Sequence, residues 1–222
     1  MLVVALTFVV CILAQGFALR PALAGTWTMW IALGAPYLAL SAFAVFSFWK
    51  AGTLAERLKP RWGDLSIGIV IAAILLFGSW GVRALLTPAG TDRQAWLFHI
   101  YLQIGRPEII QKSFALTTVL LLIAASEELI WRGVVLDQLK ARVGDRRAWL
   151  LTTVLYATAV VPTAFTLADP VAGPNPLLVV AALGCGLFWS FTASILGRLP
   201  PVIISHMVFT YYVSVQFHPP GL

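Results

Sequence analysis

The chain has 222 residues, 60% of them hydrophobic and only 11% charged, with a formal net charge of +6 and a mean hydropathy of +0.89. A soluble domain carries roughly 25% charged residues, so the composition excludes an ordinary soluble fold and reads as an integral membrane protein. The positive excess does not point to nucleic acid as a partner, because the basic residues fall in short connectors between apolar runs, where they set topology.

Residues 2–19 form the first apolar run, about long enough at ~1.5 Å per residue to cross a ~30 Å hydrocarbon core. Ala22-Leu23-Ala24 resembles a signal-peptidase site, but the run has no basic segment before it, which favours a retained span. Residues 27–49 form the second run; Pro36 inside it is tolerated where neighbouring helices cover the freed carbonyl. A polar connector, residues 51–64, leads to a third run at 65–86 with Arg83 near its far end. Residues 87–94 read as a loop, since proline and glycine break the periodicity. Residues 96–104 are apolar but too short to span and read as interfacial or partly buried.

The fourth span runs from residue 109 or 113 to 135 and is followed by a basic connector at 137–147. Residues 149–167 make the fifth span, 169–176 a proline-rich turn, 177–196 the sixth span, and 202–217 the last, with His206 inside it. The sequence thus predicts an all-α, polytopic membrane helix bundle of about seven transmembrane helices. It reads as one domain over residues 1–222, with a motif-bearing core at about 109–217 and no internal repeat. Cys11 and Cys185 lie in different apolar runs and read as packing residues.

Sidedness follows from charge. The connectors after spans two, four and six carry Lys50, Arg57, Lys59, Arg61, Lys140, Arg142, Arg146, Arg147 and Arg198, against Arg20, Arg83, Arg93, Arg106 and Lys112 on the other side. The excess places the first set, and with it the N-terminus, in the cytoplasm. Trp27, Trp49, Trp62, Trp80, Trp96 and Trp149 lie near predicted span ends, as interfacial anchors do.

The fourth span holds Ser126-Glu127-Glu128-Leu129-Ile130-Trp131-Arg132, two carboxylates and an arginine in apolar surroundings. An ionisable residue inside a membrane helix costs roughly 2.5 to 3.5 kcal/mol on insertion scales and is kept where it faces a partner or a polar cavity. Glu128 and Arg132, at i and i+4, share a helix face and neutralise each other. Glu127, rotated by about 100°, is left for another partner. Counted at helical rise, Glu127 lies roughly 12 Å and His206 roughly 9 Å from the basic end, so the two are expected to meet in one cavity open to the cytoplasmic half of the bilayer. A carboxylate there is placed to take a proton from water, and an imidazole beside it to donate or relay one. The alternative is an ion-pair cluster that only orders helix packing; it needs one glutamate for one arginine and leaves the second without a use. His99 and His218, near predicted membrane edges, read as interfacial.

Glu127-Glu128-x-x-x-Arg132, followed by an aromatic-containing span and a late Ser205-His206-Met207-Val208-Phe209-Thr210, resembles the CPBP family of CAAX prenyl proteases and bacteriocin-processing (Abi) intramembrane proteases. The family pattern is Glu-Glu-x-x-x-Arg, then Phe-x-x-x-His, then His-x-x-x-Asn or Asp. The resemblance implies Glu127 as general base, Glu128 and Arg132 as its supporting pair, and His206 as oxyanion donor, with Thr210 in the asparagine position. The second part departs: Tyr156 keeps an aromatic, but Val160 stands where the histidine is expected. Thr158, Thr163 and Tyr156 are the neighbours that could compensate.

The implied activity is an intramembrane endopeptidase acting on a membrane-attached peptide or protein, a lipidated tail or a terminal helix, in a bacterial-type cytoplasmic membrane. Water activation without a metal is favoured, because two glutamates and one histidine beside an arginine make a poor zinc set. A catalytically inactive scaffold using the same cavity, and a small proton-coupled transporter, are the competing classes; the transporter is disfavoured by the lack of a repeat.

Overall fold

The computed structural model describes residues 1–215, and they are helical throughout apart from connectors and one isolated bridge between Asp169 and Gly173. The helices are α1 (Leu2–Ala18), α2 (Trp27–Lys50), α3 (Leu54–Leu58), α4 (Asp64–Leu86), α5 (Gln94–Ile104), α6 (Pro107–Lys112), α7 (Phe114–Glu128), α8 (Leu136–Val143), α9 (Asp145–Val160), α10 (Pro162–Thr166), α11 (Leu177–Leu196) and α12 (Pro200–Val215). Leu129–Val135, between α7 and α8, is a π-helical stretch, so one continuous helix runs over Phe114–Val143. The helix that holds the fourth span thus continues past residue 135 into the basic connector, because Leu136 and Leu139 are buried and anchor an amphipathic continuation. Residues 216 and 217 of the last predicted span, and His218, lie outside the described residues.

Among the described residues four helical stretches, Trp27–Lys50, Asp64–Leu86, Asp145–Thr166 and Leu177–Leu196, are long and apolar enough to cross a bilayer. A fifth candidate is the pair Gln94–Lys112 and Phe114–Val143, bent by 120° at Ser113. There the Ser113 side chain caps α7 by accepting from Leu116 N at 3.3 Å. With 17 and 16 residues, α1 and α12 rise only about 26 and 24 Å, short of a ~30 Å core.

Packing brings the motif helix and the late histidine together. α12 lies between α4 and α7, α2 also packs on α7, and α9 packs on α11. The α4–α12 approach is close because Gly68 has no side chain: a Cβ there would sit 2.8 Å from Ile204 Cβ and 2.9 Å from the Pro201 carbonyl. Ser126 donates across to Ser41 of α2 at 3.2 Å.

The two ends of the bundle are fastened by polar contacts. At the basic end Arg57 pairs with Asp137, Arg198 with Asp64, and Lys140 donates to the Ser194 carbonyl at 3.0 Å. At the other end His99 pairs with Asp169 at 3.2 Å, and Gln103 donates to the carbonyls of Ala18 and Arg20. Trp27, Trp49, Trp62 and Trp80 are exposed, as interfacial anchors are, but Trp96 is buried and donates to the Gly173 carbonyl at 3.1 Å; it ties α5 to the turn before α11. Both cysteines are buried and unpaired.

Candidate active site

The site is assembled from α7, the π-helical stretch, α9, α11 and α12. Glu127 and Glu128 end α7, and their side chains diverge as consecutive helical positions must. Glu128 is fully buried and its Oε1 accepts from Arg132 Nη1 at 3.0 Å. The pair is made across the start of the π-helical stretch, a local widening that recurs at functional sites. Arg132, also fully buried, donates from Nε to Ser190 of α11 at 3.2 Å. Its guanidinium lies over the rings of Tyr156 and Trp189, at 4.5 and 5.4 Å from their centroids. Gly186 makes room for it: a Cβ there would meet Arg132 Nη2 and Tyr156 Cδ1 at 3.3 Å and Thr153 Cγ2 at 3.2 Å.

His206 bridges the two glutamates. Its Nδ1 lies 2.8 Å from Glu128 Oε1, and its Nε2 lies 3.5 Å from Glu127 Oε2. The ring stacks on Trp189 with centroids 3.9 Å apart and planes 23° from parallel, and Trp189 is itself held by donating to Ser205 at 3.0 Å. Glu127 Oε2 in turn accepts a hydrogen bond from Tyr156 Oη at 2.9 Å. Two carboxylates therefore face one guanidinium and one imidazole.

Glu127, Tyr156, Val160, His206 and Thr210 all line one cavity of about 250 Å³ whose other walls are mostly apolar, with Gln15, Tyr101 and Ser214 among them. Glu128 and Arg132 stand behind it. From Glu127 the cavity runs past Ile123 and Leu120 to Leu19 at the end of α1 and Met29 near the start of α2. That end of the bundle is opposite the basic connectors, so the expectation of a cavity on the same side as those connectors is corrected. The reason is local: beyond Glu127 the interior is filled by Trp131 and Arg132, both fully buried, whereas on the other side Ala124 leaves space.

The structure thus brings together every residue of the Glu-Glu-x-x-x-Arg and histidine patterns, and places Val160 on the same cavity wall. Of the three neighbours that could offset Val160, Thr158 is exposed and bonded to its own helix, and Thr163 forms no side-chain hydrogen bond with the described residues. Tyr156 reaches Glu127. The roles of Trp189 and Ser190 were not foreseen; a tryptophan and a serine in mid-span of the sixth run were the available signal. Among the described residues no group of three His, Cys, Asp or Glu has the arrangement of a metal site.

The family model described as type II CAAX prenyl endopeptidase Rce1-like matches residues 109–212, a stretch that includes all the residues of this site. Comparison with curated proteins and with solved structures yields no match.

Proposed function

Because the segment that carries the site, residues 109–212, belongs to the CPBP family of CAAX prenyl proteases, we propose that this integral membrane protein is an intramembrane endopeptidase that hydrolyses a peptide bond of a membrane-attached or lipidated substrate. The observation that carries the reading is the Glu127 carboxylate on a cavity wall, outside the Glu128–Arg132 pair, with the imidazole of His206 at 3.5 Å.

In this reading Glu127 takes a proton from water as the water oxygen attacks the scissile carbonyl carbon. The oxyanion that forms accepts from His206 Nε2, with the Thr210 hydroxyl one turn further along the same cavity wall. When the C–N bond breaks, Glu127 returns the proton to the leaving amine. Glu128 and Arg132 keep the imidazole in register. In this reading the step runs without a metal, because two glutamates and one histidine beside an arginine make a poor zinc set. Chelators are expected to leave activity unchanged. The test of the whole reading is cleavage of a lipidated peptide by purified protein in mixed micelles, comparing wild type with Glu127→Ala and His206→Ala; equal rates in all three would sink it.

We further propose seven spans in a bacterial-type cytoplasmic membrane, with α1 and α12 crossing locally thinned bilayer and the N-terminus in the cytoplasm. The excess of basic residues at one end supports this orientation. The cavity then faces the extracytoplasmic half of the bilayer. Labelling of single cysteines placed at 52 and 90 by a membrane-impermeant reagent reads the orientation directly.

A second reading, a catalytically inactive binding protein, is favoured by one observation: Val160 occupies the cavity wall where the family has a histidine. An inactive parent that gains cleavage on Val160→His would support it.

A further inference from the structure

The missing histidine leaves the nucleophilic water with one protein partner, Glu127, where the family pattern supplies two. Of the described residues that line the cavity, His206 approaches Glu127 at 3.5 Å but is already assigned to the oxyanion, and one further side chain hydrogen-bonds to Glu127. It is Tyr156, four residues before Val160 on α9 and so on the same helix face. Its ring is fixed from several sides. Trp131 meets it edge-on with centroids 5.6 Å apart, the Arg132 guanidinium covers one face, and the absent side chain of Gly186 lets the ring edge in. A phenol so held cannot swing away from the carboxylate, and its oxygen can donate one hydrogen bond and accept another.

We propose that Tyr156 is a catalytic residue that takes the place of the histidine absent at position 160, as the second group holding the attacking water. This rests on the hydrolytic reading above. The phenol donates to Glu127 Oε2, as observed, and its oxygen accepts a hydrogen bond from the water. The other hydrogen of that water points to the Glu127 carboxylate, which aims an oxygen lone pair at the carbonyl carbon. As the C–O bond forms, the proton passes to Glu127 and the carbonyl π pair moves to its oxygen. Tyr156 keeps its own proton throughout. Collapse restores the carbonyl, breaks the C–N bond and returns the proton from Glu127 to nitrogen, so one water and one peptide bond give one acid and one amine.

Tyr156→Phe removes a single oxygen and keeps the ring packing. In the micellar cleavage assay it is expected to lower kcat by about 10²-fold while KM stays within roughly threefold, the signature of a group that acts on the reacting water. Adding Val160→His to that variant rebuilds the family pattern and is expected to recover at least about tenfold in kcat, a rescue that a purely structural role would not allow. Tyr156→Phe with wild-type kcat overturns the assignment alone, as does loss of the helical fold, read by circular dichroism and micellar elution, together with activity. Cleavage that appears only when Val160→His is introduced into the wild type also overturns it, while leaving a hydrolytic site in place. No cleavage by wild type, by Val160→His or by the double variant overturns both this assignment and the protease reading.

Discussion

His206 Nδ1 and Arg132 Nη1 converge on the same oxygen, Glu128 Oε1, at 2.8 and 3.0 Å. This shared acceptor couples the imidazole that faces the cavity to a guanidinium that never reaches it. Breaking a buried pair by removing one partner leaves an uncompensated charge and costs about 3 to 5 kcal/mol. Arg132→Met is therefore expected to be strongly destabilised in denaturant titrations in mixed micelles. The double variant Arg132→Met with Glu128→Gln is expected to recover most of that stability and none of the cleavage activity, because His206 is no longer oriented.

Glu127 stands apart from that pair. Glu127→Gln keeps the size of the side chain and an acceptor for Tyr156, but not the base. Hydrolysis is expected to fall by about 10²- to 10⁴-fold with the thermal unfolding midpoint nearly unchanged. A large fall in the midpoint would instead assign Glu127 a structural role.

Gly186→Ala puts a methyl group 3.2 to 3.3 Å from Thr153, Arg132 and Tyr156. Overpacking of this kind costs about 1 to 3 kcal/mol, and displacement of Tyr156 is expected to lower kcat as well. Gly184→Ala, two residues away, meets nothing within 4 Å and serves as the control.

The turn before α11 supplies an acid-sensitive fastening. The backbone N–H groups of Ala172 and Val171, and then His99, hold the Asp169 carboxyl below its ordinary value. A carboxylate whose value is lower in the folded than in the unfolded state contributes stability above the unfolded value of about 4, and that contribution is lost as pH falls through the folded one. Hydrogen exchange at Val171 and Ala172 is expected to accelerate, relative to the intrinsic rate, as the pH drops from 6 to 3. Asp169→Asn is expected to show raised exchange throughout and little change across that interval.

Much of the architecture was legible because apolar runs of near-span length, bounded by proline, glycine and basic residues, have few other readings. The limits of spans two, three and six fall within a residue or two of α2, α4 and α11. The helix of the fourth span does not stop at residue 135: buried Leu136 and Leu139 carry it on to Val143, into the basic connector. Trp96 was read as an interfacial anchor on position alone, and its indole N–H turned out to be satisfied inside the bundle.

By itself the sequence determined that two carboxylates, an arginine and a histidine lie inside apolar helices, and that Glu128 pairs with Arg132 while Glu127 points elsewhere. Those are consequences of composition and of a 3.6-residue period, which act along a single helix. Which groups meet Glu127, and toward which end the cavity runs, were decided only by the tertiary structure. The Tyr156–Glu127 hydrogen bond joins residues 29 apart and the His206–Glu128 contact residues 78 apart. Contacts at such separations depend on how α9, α11 and α12 pack around α7, on the space left at Gly68 and Gly186, and on the bulk of Trp131 that fills one side of the site. No periodicity within one helix encodes them.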